Sequence, residues 1–135
     1  MGKKIVAYDV TLRDGTQGEG VSFSVEDKIR VAHKIDELGV GYIEGGWPGS
    51  NERDESFFNQ VKNEKFENAI ISAFGSTRRF NSNCDNDSNI QALLKAETKA
   101  ITIVGKTWDF HVKTALKIKN DQNLELIGDS IDYLS

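Results

Sequence analysis

One cysteine, one proline and two histidines are spread over 135 residues, and each scarcity excludes something. A lone thiol closes no internal disulfide. The polar setting of Cys84, "NSNCDNDSN", predicts a solvent-facing loop residue in a reducing, cytoplasmic compartment. With only Pro48 and no low-complexity run, nothing reads as a linker, which predicts a single domain over residues 1–135. No apolar run approaches membrane length, and Met1-Gly2-Lys3-Lys4 leads straight into a strand-like segment where a signal peptide would carry its apolar core. Positive charge is thin too. The formal net charge is -4 and "TRR" at 77–79 is too short to make a basic stripe, so neither nucleic acid nor a membrane surface is an expected partner.

What the chain does have is rhythm. Four short apolar runs, "KIVAYD" (4–9), "VGYIEGG" (40–46), "AIISAFGS" (69–76) and "AITIVGK" (100–106), read as strands. Their starts are 36, 29 and 31 residues apart, close to the length of a βαβ unit. Helical patterns fill the gaps. "SVEDKIRVAHKIDELG" offers Ser24 as N-cap with Asp27 three residues on, apolar Val25, Ile29, Ala32, Ile35 and Leu38, and Gly39 past the end. "RDESFFNQVKN", "SNIQALLKAE" and "DFHVKTALKI" follow, and the last helix, "NDQNLELIGDSIDYLS", is expected to bury Leu124, Ile127, Ile131 and Leu134 on one face.

Alternating strands and helices with nearly uniform apolar strands predict an α/β fold with a parallel sheet covered by helices. The pattern alone fits a small open sheet or the first four units of a (β/α)8 barrel. A complete barrel needs roughly 200 residues or more, so this chain supplies about half, ending before a fifth strand. A flavodoxin-like binding domain is disfavoured, because the first loop lacks a phosphate-cradling glycine fingerprint leading directly into a helix.

The polar residues gather at one end. After the first strand come Asp9, Arg13, Asp14 and Gln17; the second carries Glu44; the third, Ser76, Thr77 and Arg78; the fourth, Lys106, Thr107 and Asp109. In parallel α/β folds the carboxyl ends of the strands are where ligands bind. Converging carboxylates suit a hard divalent cation, and an arginine beside them offers forked donors to a carboxylate or a developing oxyanion. The same residues also admit a purely structural role: Asp14 capping the loop, Arg13 pairing with Glu44 as a buried strut, Gln17 bonding backbone.

"DVTLRDGTQ" resembles the first-strand signature of the DRE-TIM metallolyase superfamily, which holds isopropylmalate, homocitrate and citramalate synthases and hydroxymethylglutaryl-CoA lyase. "DGTQGEGVSFSVEDKI", "YIEGGWPGSN", "SAFGSTRR" and "GKTWDFHV" look most like the citramalate synthase branch, and the likeness runs over essentially the whole chain. The resemblance implies half of a TIM barrel taken from an acyltransferase that condenses acetyl-CoA with a 2-oxo acid, pyruvate in this branch. It implies charge stabilisation by Arg13, a divalent metal (Mg2+, Mn2+ or Zn2+) on Asp14, Glu44 beside that centre, and substrate contacts from Arg13, Gln17 and Thr77. Val10 stands where threonine is more usual. The family's metal site also takes a His-x-His pair from a late strand, whereas this chain has only His33, expected on a helix surface, and His111, expected in packing, in capping or at the site's rim. The isolated chain is therefore expected to be inactive, with metal weak or absent. The alternative is a non-catalytic half-barrel that assembles with itself, as a homo-oligomer, or with another chain.

Overall fold

The computed structural model describes residues 2–135. Its centre is a four-stranded parallel sheet in the order β1-β2-β3-β4. The strands are β1 (Tyr8–Asp9), β2 (Tyr42–Gly46), β3 (Ile70–Ser76) and β4 (Ala100–Val104). Between them lie α1 (Val25–Glu37), α2 (Glu52–Val61) and α3 (Ser88–Lys95); a short α4 (Asp109–His111) and α5 (Asn120–Leu134) follow β4. Four consecutive parallel strands with their helices are the first part of a (β/α)8 architecture.

The helices start where side chains satisfy their free N–H groups. Ser24 Oγ accepts from Asp27 N at 3.1 Å while Asp27 Oδ2 accepts from Ser24 N at 3.1 Å, the reciprocal box read from the sequence. Asn51 caps α2 by accepting from Asp54 N, and Asp87 caps α3 by accepting from Asn89 N and Ile90 N. Helix α1 ends on Gly39 at φ +77, which only glycine adopts freely.

The core lies between these helices and one face of the sheet. Ile43 and Ala73 point to that side and meet Ala32, Ile35, Phe57, Phe58, Val61, Ile90 and Leu93, all buried. Each large apolar side chain withdrawn in this way stabilises the fold by about 1.5–3 kcal/mol. Gly75 lets α3 lie close on β3, since a Cβ there would stand 2.8 Å from Leu93 Cδ1. The opposite, inner face of the sheet carries Tyr8, Glu44, Ser72, Phe74 and Thr102, and its Tyr8, Ile70 and Val104 remain exposed.

Four expectations need correction. β1 covers Tyr8–Asp9 and not 4–9: it pairs with β2, and among the described residues ahead of it only Ala7 O is engaged in a backbone hydrogen bond, by Gly41 N (3.0 Å) and Tyr42 N (3.2 Å). The segment 109–118 is no continuous helix, because a wider π-type turn (Val112–Leu116) follows α4 and Lys117 closes it in the left-handed region at φ 56. Helix α5 buries Asn123, Leu126 and Ser130, leaving Leu124 and Ile131 exposed. The polar pair wins because each satisfies a strand-end backbone group: Asn123 Nδ2 donates to Lys106 O (2.8 Å), and Ser130 Oγ accepts from Arg78 N (2.9 Å). Cys84 is buried, not solvent-facing, with its Sγ 3.6 Å from Asp129 O. Burial pushes its thiol above the ordinary value.

Candidate functional site at the carboxyl ends of the strands

The loop after β1 is wound by its own backbone. Val10 O accepts from the N–H groups of Arg13 (3.2 Å), Asp14 (2.8 Å) and Gly15 (3.2 Å), and Leu12 is buried beneath. Asp9 tightens the entry, taking bonds from Thr11 N (2.9 Å) and Thr11 Oγ1 (3.0 Å). Arg13 is thereby turned inward and Asp14 outward, with side-chain exposures of 19% and 59%.

Arg13 is gripped on three sides. Its Nε donates to Glu44 Oε1 at 2.5 Å, its Nη1 to Asp14 Oδ1 at 3.0 Å, and its guanidinium carbon lies 4.1 Å from the centre of the Phe74 ring. Its Nη2 has no partner among the described residues, so one N–H edge stays available to an anionic oxygen. Glu44 is buried and, in regular register opposite Ser72, takes the inner face by strand alternation; the pairing with β3 shifts only beyond it, between Glu44 and Gly46. Its second oxygen, Oε2, accepts from Tyr8 Oη at 2.6 Å. Tyr8 Oη also lies 2.6 Å from Thr102 Oγ1 and 3.2 Å from Ser72 Oγ, and Ser72 Oγ is 3.0 Å from Thr102 Oγ1. One polar side chain from each strand thus joins a single layer. Burial raises the Tyr8 phenol above its usual pKa, with the hydrogen bond to Glu44 next in effect, so it stays a donor.

The end of β2 is anchored from behind. Lys28 on α1 and Asp54 on α2 form a buried ion pair at 2.7 Å, and Asp54 Oδ2 accepts from Trp47 N at 2.8 Å. Gly46, at φ +153, makes room: a Cβ there would stand 2.7 Å from the Asp54 carboxylate and 2.9 Å from Lys28 Nζ. The Trp47 indole donates to Asn89 Oδ1 (2.7 Å) and packs edge-on against Phe74, 5.4 Å between centroids. The ring under Arg13 is therefore itself held.

Arg13, Asp14 and Glu44 come together; no hydrogen bond joins Gln17 or Thr77 to them. Gln17 is exposed in a 3-10 turn (Gly15–Gln17), and its side chain makes no hydrogen bond among the described residues. Thr77 is half-buried and lines a different cleft of about 700 Å³ with Trp47, Arg78, Phe80 and Lys106. His33 lies on α1 at half exposure, stacked on Phe66 at 4.8 Å, and His111 is exposed against the Trp108 edge at 4.7 Å. The sequence reading missed Tyr8, Ser72, Phe74 and Thr102. Strand alternation was the available signal, since all four share the face of Glu44.

As donors to a hard cation, these residues fit in part. Both Glu44 oxygens and both Asp9 oxygens are engaged, while Asp14 Oδ2 accepts nothing among the described residues. Asp14 suits one position of an oxygen-ligated divalent ion. No group of three His, Cys, Asp or Glu side chains suited to a metal occurs among the described residues.

The HMGL-like family model matches residues 4–135. The (R)-citramalate synthase of Geobacter sulfurreducens is 61% identical over 94% of this chain and 24% of its own length. That of Aquifex aeolicus is 52% identical over 99% of this chain and 25% of its own. A homocitrate synthase of Methanopyrus kandleri is 33% identical over 96% of the chain. The chain thus spans about a quarter of the length of the citramalate synthases it matches. Among solved structures, the HMG-CoA lyase of Bacillus subtilis superposes with a TM-score of 0.70 at 17% identity, over 97% of this chain and 42% of that one.

Proposed function

This chain belongs to the HMGL-like family, and from that membership we propose that it is the N-terminal part of a citramalate synthase-like acyltransferase. The reaction is the condensation of acetyl-CoA with a 2-oxo acid, pyruvate, followed by thioester hydrolysis. The observation that carries this reading is the convergence of Arg13, Asp14 and Glu44 at one rim, in a chain 61% identical to an (R)-citramalate synthase.

In this reading Arg13 takes the anionic oxygen of the 2-oxo acid on its free Nη2 edge. As the methyl carbon of acetyl-CoA bonds to C2, the ketone oxygen gains negative charge, and the fixed guanidinium offsets it without reorganising. Glu44, bonded on both oxygens, holds Arg13 in place. The proton leaving the methyl group is assigned to no residue of this chain. Gln17 and Thr77 are proposed to contact substrate beyond that centre. Asp14 would be one ligand of a divalent cation (Mg2+, Mn2+ or Zn2+), which when bound supplies Lewis-acid polarisation of the 2-oxo group. Water then cleaves the thioester, giving citramalate and free CoA.

With one cation ligand and no assigned base, the isolated chain is proposed to be inactive. No helix among the described residues is long and apolar enough to cross a membrane, and a cytoplasmic setting goes with the same reading. A thiol-release assay with acetyl-CoA and pyruvate tests both parts. The isolated chain should release no thiol above background. Placed in register at the start of the G. sulfurreducens enzyme, it should release thiol in a pyruvate-dependent way. Turnover by the isolated chain would overturn the claim of incompleteness, and a folded but silent hybrid would overturn the assignment.

The exposed Tyr8, Ile70 and Val104 on the inner face favour a second reading, a non-catalytic half-barrel that covers this face with a second copy or another chain. Light scattering separates the two: a stable dimer that releases no thiol when joined to the relative's remaining segment supports the second.

A further inference from the structure

Tyr8 Oη carries one proton and has three oxygen neighbours: Glu44 Oε2 at 2.6 Å, Thr102 Oγ1 at 2.6 Å and Ser72 Oγ at 3.2 Å. The carboxylate takes that proton, because a bond to an ionised acceptor is the strongest available and 2.6 Å is its ordinary length. Tyr8 must then accept from Thr102 across the equally short second contact. Thr102, having given its proton to Tyr8, accepts from Ser72 at 3.0 Å. The hydroxyls therefore point one way, Ser72 to Thr102 to Tyr8 to Glu44, and the chain ends on the carboxylate that holds Arg13 Nε at 2.5 Å. Bonds aligned head to tail polarise one another, so each strengthens the last.

We infer that Tyr8 is a positioning residue for Arg13, acting through Glu44, and that Thr102 and Ser72 orient its hydroxyl. Three features support it. The four members come from four different strands, so the layer records the relative placement of every strand around the site. Without Tyr8, Glu44 Oε2 would sit in a 2% exposed side chain with no donor and would be driven to rotate away from Arg13. The Tyr8 ring is itself fixed, stacked on Tyr42 at 5.8 Å, so its hydroxyl is aimed by packing as well as by hydrogen bonds. The catalytic meaning of this placement rests on the proposed acyltransferase reading; the placement itself does not.

The test reads Arg13 directly by NMR of its Nε–Hε group in the 135-residue chain. In the native protein this proton should be shifted downfield and protected from solvent exchange by the Glu44 contact. Tyr8→Phe keeps the ring and removes the hydroxyl, and Arg13 Hε exchange should accelerate about tenfold, the effect of losing one hydrogen bond to a charged group. Thr102→Val should move it the same way by about threefold, whereas Tyr42→Phe should leave it unchanged. A merely structural tyrosine would lower stability without moving the Arg13 signal. Unchanged Hε shift and exchange in a folded Tyr8→Phe chain overturns the inference. Should that variant not fold, an unchanged signal in Thr102→Val does so. If the signal moves as expected while the hybrid enzyme releases no thiol, the positioning stands and the acyltransferase reading falls.

Discussion

Arg13 and Glu44 meet through one contact, Nε to Oε1 at 2.5 Å, that ties the loop after β1 to the buried end of β2. Each Glu44 oxygen already accepts one hydrogen bond, and Arg13 Nη2 has no partner among the described residues. The pair is a strut, and under the proposed function it is also the site. The structural alternative open in the sequence, an arginine strut on Glu44, describes the geometry correctly and does not compete with function.

Removing one side of this contact should cost more than removing both. Glu44→Gln is expected to lower unfolding free energy by about 2 kcal/mol, since a partly buried guanidinium loses its ionised acceptor. A double-mutant cycle with Arg13→Met should return a coupling of about 1.5 kcal/mol or more in urea unfolding. Additivity within about 0.5 kcal/mol would show that the contact contributes no coupling.

The buried Lys28–Asp54 pair behaves as a unit. Lys28→Met leaves the Asp54 carboxylate without its cation in a closed setting and should destabilise by about 3 kcal/mol. Lys28→Met with Asp54→Leu should recover part of that loss, less what Trp47 N forfeits. Denaturant midpoints of these variants and of Asp54→Leu decide; a double variant that loses the sum of the two single losses would mean the pair is not coupled.

Acid should unfold the chain through Asp36 and Asp87. Burial alone would raise both carboxyls, but Asp36 accepts from Glu67 N, Asn68 N and Ala69 N, and Asp87 from Arg79 N, Ser82 Oγ, Asn89 N and Ile90 N, and the net direction for each is down. A folded pKa below the unfolded one gives stability that is present above about pH 4 and is lost as pH falls through the folded value. Asp36→Asn and Asp87→Asn should each flatten the stability–pH curve below about pH 4. Thermal melts across that range check it, and an unchanged slope in both variants would contradict the assignment.

Cys84 should be slow to react in the folded chain. Its buried thiol and raised pKa predict little labelling by a disulfide reagent at neutral pH and prompt labelling after addition of urea. Equal rates in both conditions would place the thiol at the surface.

Most of the architecture was legible from the sequence because its signals are local. Strand spacing, the Ser24–Asp27 box and glycine stops each act within a few residues, and four parallel strands follow from their repetition. The convergence of Arg13, Asp14 and Glu44 was legible because Arg13 and Asp14 lie in a recognisable loop after β1 and Glu44 lies near the end of β2. The burial of Cys84 and the buried face of helix α5 were not, since they depend on partners 45 and 52 residues away in sequence, Asp129 for the thiol and Arg78 for Ser130. Nor was the Tyr8 layer, which exists only once four strands stand side by side.

If Arg13 and Glu44 form the charge-stabilising part of an acyltransferase site, then placing this chain at the start of the G. sulfurreducens enzyme and measuring pyruvate-dependent thiol release with Arg13 intact and with Arg13→Lys will show it. Turnover is expected in the first hybrid and a fall in kcat of about 10²–10³-fold in the second, with the fold preserved. Near-equal rates in the two would contradict it.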